Sequence, residues 1–218
     1  LKIIKSNRNA QNTGSHFSAP APLRLDWRIA VITITSTTLL MFDYYDKITI
    51  IKEIDRILLY LIAPLIIIVF IFRESPRAYG FTPGDWRAGI PLTLGAMAVL
   101  TPLIYFVART PSMAVFYAGR SQYLPWNTFL DLIGWEFIFR GWILFGYARK
   151  FGPEALWLQA VPFALAHIGK PQIETLSTIF GGFAFGWLAW RTRSFFYPFL
   201  IHWYIASLTI LVASRVLG

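Results

Sequence analysis

Seven runs of apolar residues, each parted from the next by a short stretch carrying lysine or arginine, decide most of what this chain can become. They cover roughly 28–42, 54–72, 89–108, 127–148, 154–168, 175–190 and 195–214. Crossing about 30 Å of hydrocarbon takes about 20 consecutive helical residues, so most of these runs are long enough to span and the first and fifth are short for it. The composition agrees: 56% of the residues are hydrophobic and 14% are charged, against about 25% charged in an ordinary soluble domain. Too little polar surface is left to solvate a globule. The expectation is an all-α fold, a polytopic transmembrane helical bundle of about seven spans in contact with the lipid bilayer.

Residues 1–25 read as a polar, basic tail, and residues 26–218 as a single transmembrane helical domain without internal repeats. The tail has no apolar core of a signal peptide. A polar leader of this kind orders only against something that holds it, which points to other membrane-protein subunits as partners. Twelve lysines and arginines fall on one side of the seven runs and seven on the other. The positive-inside rule then places the N-terminus in the cytoplasm of a multi-pass integral membrane protein. The net charge of +9 does not signal nucleic acid, because the basic residues sit between apolar runs rather than on a polar face interleaved with aromatics. Without cysteine there are no disulfides and no thiolate ligands. Within "GFTPGDWRAG", Thr82 is expected to cap the third helix, with Pro83 at its first position and Asp85 in its first turn. Gly182 and Gly186 have the small-xxx-small spacing that lets two helices approach closely.

The chemistry lies in the exceptions. Asp131, Glu136, Arg140, His167 and His202 are the ionisable residues well inside the apolar runs. Each is costly in hydrocarbon and therefore a functional candidate. "GWEFIFRGW" puts Glu136 and Arg140 one turn apart on one helix face, where they can neutralise each other as a purely structural ion pair. A lone buried histidine is more often a satisfied core residue than a catalyst. Two of the chain's three histidines, in different helices and at a depth similar to the Glu–Arg pair, carry more weight. A glutamate with a histidine can activate water as a general base, and a second histidine can donate to a developing oxyanion.

The order Glu136-Phe137-Ile138-Phe139-Arg140-Gly141, then Phe163-Ala164-Leu165-Ala166-His167, then His202 resembles the CPBP family. These are the CAAX prenyl protease and bacteriocin-processing, or Abi-type, glutamic intramembrane endopeptidases. The resemblance covers about residues 127–207. It implies a metal-independent peptidase acting on a membrane-embedded or membrane-adjacent peptide, without a cofactor. Two positions depart from the family pattern. The first motif usually carries two glutamates, the first being the water-activating base, and that position is Trp135 here. The third motif usually carries an asparagine four residues after its histidine, which is Ala206 here.

Two functions follow from this. In the enzyme, Glu136 takes over as base with His167, His202 polarises the scissile carbonyl, and Arg140 orients Glu136. In the alternative, the fold is kept without the chemistry, and the chain is an accessory, scaffold or assembly subunit of a larger membrane complex. The set of His167, His202 and Glu136 could also hold a metal, though no dedicated zinc spacing is present, and a transmembrane histidine can ligate a haem or chlorophyll-type pigment. No metal or cofactor is expected.

Overall fold

A computed structural model describes residues 24–216 of the chain. Most of the polar leader, and with it the partner expected to hold that leader, lies outside the described residues. Among the described residues there are eight α-helical elements and no strand. Seven of them coincide with the apolar runs: α1 (Trp27–Tyr45), α2 (Lys52–Ile71), α3 (Trp86–Val107), α5 (Trp126–Phe151), α6 (Ala155–Leu165), α7 (Gln172–Thr192) and α8 (Phe196–Ala213). The eighth, α4 (Pro111–Tyr117), is a short helix between α3 and α5 that no apolar run foretold. Lys52–Ile71, Trp86–Val107 and Phe196–Ala213 are long and apolar enough to cross a membrane by themselves. The chain is an all-helical integral membrane protein, and the lipid bilayer is its environment.

The hub is α5, which runs unbroken through Trp126–Glu136, Phe137–Ile143 and Leu144–Phe151. Its middle stretch is wound as a wide π-helix, with the Leu144 amide reaching back to the Phe139 carbonyl. Such turns recur at functional sites. Every residue from Gly134 to Gly146 is buried, because other helices surround α5 and lipid does not reach it. That is how an oily segment tolerates two full charges at its centre.

Close backbone approach is what packs the neighbours so tightly. Gly146 receives the side chain of Ile32 from α1, and a Cβ at Gly134 would lie 2.6 Å from the Arg56 carbonyl of α2. The Trp142 indole donates to Ser36 Oγ at 3.0 Å, pinning α1 to α5 inside the core. Gly182 and Gly186 lie against Ala160 and Gln159, so the small-residue spacing does bring α6 and α7 together. An aromatic cluster also holds α8: Phe129 packs edge-on against Phe199 and Trp203, each at 5.1 Å.

The start of α3 differs from the expectation. The helix begins at Trp86, and Asp85 is its N-cap, accepting from the Ala88 amide at 3.1 Å, while Thr82 and Pro83 stay outside. The reason is Gly84. Its φ of +58° is unfavourable for other residues, and a Cβ there would strike the Thr192 carbonyl. The chain turns at Gly84 so that the Asp85 amide can donate to the Thr192 carbonyl at 2.7 Å, which ties the α3 entrance to the end of α7.

Candidate active site

Glu136, at the last α-helical residue before the π-helical turn, sends its side chain between α5 and α8. Its Oε1 lies 2.6 Å from Nδ1 of His202, and its Oε2 lies 3.3 Å from Nε of Arg140. Glu136 and Arg140 are both fully buried. The Arg140 guanidinium sits over the ring of Phe163, 3.8 Å from its centre, with Phe185 at 5.3 Å. None of its three nitrogens has a hydrogen-bond partner in the described residues. The cation is held by one carboxylate and by aromatic faces, which attract it electrostatically.

His167 follows α6, just beyond its last turn. Its Nδ1 is 2.8 Å from the Phe163 carbonyl, which can only accept, so Nδ1 carries the proton and Nε2 keeps its lone pair. His202 is anchored through the same atom to a different partner, the Glu136 carboxylate. The two rings are 27° from parallel, with centres 6.3 Å apart. One carbonyl anchor and one carboxylate anchor give two imidazoles of unlike character side by side.

All four candidates are thus brought together inside the bundle. Glu136 hydrogen-bonds to His202 and pairs ionically with Arg140, and Trp135 takes the place next to His167. Its ring lies edge-on to that imidazole at 5.7 Å and bears Arg56 on its face at 4.9 Å, while its buried indole N–H has no partner among the described residues. Asp131, the remaining ionisable candidate of the apolar runs, belongs to another cluster, 2.5 Å from Arg56. No group of three or more histidine, aspartate or glutamate residues in the described residues is arranged to hold a metal ion.

Two cavities reach the histidines. One, of about 710 Å³, is polar and is bordered by Lys52, Arg56, Arg120 and Asp131. The other, of about 300 Å³, is largely apolar and runs between α3, α7 and α8, with both His167 and His202 in its wall. His202, Tyr117, Lys170 and Ala206 line both, so the two spaces adjoin at His202. Tyr117 donates to Glu174 at 2.7 Å, and Lys170 bonds to the other oxygen of the same carboxylate at 2.7 Å. Sequence reasoning misses this trio. The Lys170–Glu174 spacing of one helical turn, three residues after His167, is a local signal for part of it, but Tyr117 comes from α4 and only the fold brings it in.

A buried carboxylate shared between a guanidinium and an imidazole, where a polar and an apolar space meet inside a helical bundle, defines a class: an integral membrane protein with a buried polar centre. The comparison of sequences is more specific. Residues 121–208 match the family model described as type II CAAX prenyl endopeptidase Rce1-like. That segment, which contains Trp135, Glu136, Arg140, His167, His202 and Ala206, is similar to the CPBP family. No curated protein and no solved structure matches it.

Proposed function

We propose that this CPBP-type protein is an intramembrane endopeptidase in which the two histidines divide the chemistry. The observation that carries the reading is their pairing in the wall of one cavity, 6.3 Å apart, with opposite partners at Nδ1. His167, with a free lone pair at Nε2, takes the proton of a water molecule. The water oxygen attacks the peptide carbonyl carbon, and the carbonyl oxygen becomes an oxyanion. His202, protonated opposite Glu136, donates to that oxyanion from Nε2. Glu136, Arg140 and protonated His202 together leave one net positive charge, which a developing oxyanion neutralises. When the tetrahedral centre collapses, the leaving amine takes its proton from His167. Glu136 then holds and charges His202, a role that fits its geometry better than deprotonating water, since both of its oxygens face cations. The family description suggests peptides with a prenylated C-terminal segment as first substrates to try.

Trp135 favours a second reading. An indole takes no proton, and Ala206 offers no donor to the oxyanion. On those grounds the chain is an accessory subunit, with the Glu–Arg–His cluster retained for assembly. Purified protein in liposomes, given quenched-fluorescence peptides with and without a prenyl group, separates the two. The enzyme reading expects turnover that His167→Gln lowers by at least about 1,000-fold, with unchanged protein recovery, since general base catalysis and positioning are both lost. Absence of turnover in the parent protein across the panel, with poor recovery of the Glu136 variants, would leave only the accessory role.

A further inference from the structure

On the outer wall of the bundle, α3 and α8 enclose a groove of about 440 Å³ that is separate from the two spaces at the histidines. Its walls include Thr93, Met97, Tyr197, Trp203, Tyr204 and Ser207. Among the described residues, no charged side chain lines it. It opens to lipid, because its rim residues Ile90 and Leu94 are exposed on α3.

Among the described residues, two hydroxyls in this groove lack hydrogen-bond partners. Thr93 is 5% exposed, and its Oγ1 has no hydrogen bond; the same holds for the buried Oγ of Ser207. A helical threonine or serine has an easy partner in the carbonyl three or four residues back. Thr33, Thr37, Thr101 and Thr192 all use it. Thr93 and Ser207 do not, although in hydrocarbon the unmade bond is unfavourable for each. The two tyrosines of the groove wall are already satisfied: Tyr197 donates to the Pro83 carbonyl at 2.8 Å, and Tyr204 bonds to Thr101 at 2.6 Å. Thr93 lies seven residues into α3 from Trp86, roughly 10 Å of helix. An acceptor for both hydroxyls can therefore come from a bound, uncharged molecule that enters the groove from the lipid side.

We propose that the groove binds a lipid-soluble quinone: a neutral, planar ring carrying two carbonyl oxygens. The aromatic walls fit the ring faces, the uncharged lining excludes phosphate and carboxylate heads, and the hydroxyls from facing helices supply one donor for each carbonyl. This site is independent of the peptidase reading.

The test uses full-length protein in lipid nanodiscs titrated with decylubiquinone, read by quenching of tryptophan fluorescence, with Trp203 in the groove wall. Saturable quenching is expected. It should weaken about 5-fold in Thr93→Val and in Ser207→Ala, and more than about 10-fold in the double variant. Thermal unfolding without quinone checks that all three variants fold. Three results would each overturn the proposal: quenching that never saturates, affinity unchanged in the folded double variant, or displacement of quinone by diacylglycerol at lower concentrations than quinone itself binds.

Discussion

Arg56 and Arg140 both project into the helical bundle from neighbouring helices, yet their surroundings are opposite in kind. Arg56 bonds to Asp131 at 2.5 Å, reaches Asp43 at 3.4 Å, and borders the polar cavity, where its side chain keeps 22% of its surface exposed. Arg140 has none, and its single carboxylate partner is shared with His202. The first arrangement is a polar pin joining α1, α2 and α5, with two carboxylates and solvent to share the charge. The second keeps a cation where, among the described residues, one carboxylate and three rings compensate it. A cluster built only for stability would satisfy those guanidinium nitrogens or replace them with hydrocarbon of the same volume. The difference teaches that ion pairs within one bundle need not do the same job, and that the poorly hydrogen-bonded one is the better candidate for chemistry.

The sharpest way to break this comparison is to remove the carboxylate at each centre. Glu136→Leu leaves Arg140 fully buried without a counter-charge, an arrangement that typically costs about 3–5 kcal/mol. Denaturant unfolding in detergent should show that loss, and Glu136→Leu combined with Arg140→Met should recover most of it. If the single variant unfolds like the parent, Arg140 has a partner other than Glu136 and the contrast dissolves. Next comes the cage. Phe163→Leu removes the ring under the guanidinium, losing both packing and a cation–π contact, about 2–3 kcal/mol together. The same change should lower any peptidase turnover more than it lowers stability, because the Phe163 ring also packs against His167 and His202. At the other centre, Asp131→Asn leaves Arg56 with Asp43 and water, so the expected cost is about 1 kcal/mol, read by the same unfolding experiment.

What was legible in the chain before folding, and what was not, follows from the same physics. Helix-length apolar runs are local, and seven of the helices lie where those runs lie. Glu136, Arg140, His167 and His202 stand out as a group because a charge or an imidazole deep in such a run is costly and rarely sits there without a role. Their pairing does not stand out. Whether Glu136 turns toward His167 or His202 depends on the rotation of α5 between its neighbours, and no spacing within one helix encodes that. Arg56 reads as a loop cation, because it stands only about two residues inside the edge of its apolar run. α4 escapes because "PSMAVFY" is too short to show a period, and the α3 start moves because a tertiary contact at Thr192 outweighs the local capping pattern.

The smallest effect belongs to a third ionic centre, at the end of α2, and it sharpens the contrast by supplying a reference whose arginines are solvent-exposed. Glu74 accepts from Arg149 and from the Tyr79 hydroxyl and lies 3.0 Å from Arg28. Partial burial works to raise its pKa, but the hydrogen bonds from Arg149 and Tyr79, with the nearby positive charge, hold it below the usual glutamate value. A carboxylate depressed in this way contributes stability that is fully present above its unfolded pKa of about 4.3 and lost as pH falls through the lower folded value. The contribution is therefore flat across neutral pH and disappears only in acid. For a solvent-screened cluster it should be under about 1 kcal/mol. Melting curves of the parent and of Glu74→Gln, run from about pH 7 to about pH 3, isolate it by difference. The gap between the two should stay constant down to about pH 5 and close below that. A gap that widens in acid would mean that Glu74 is stabilised in its protonated form, with Tyr79 rather than the arginines governing the cluster.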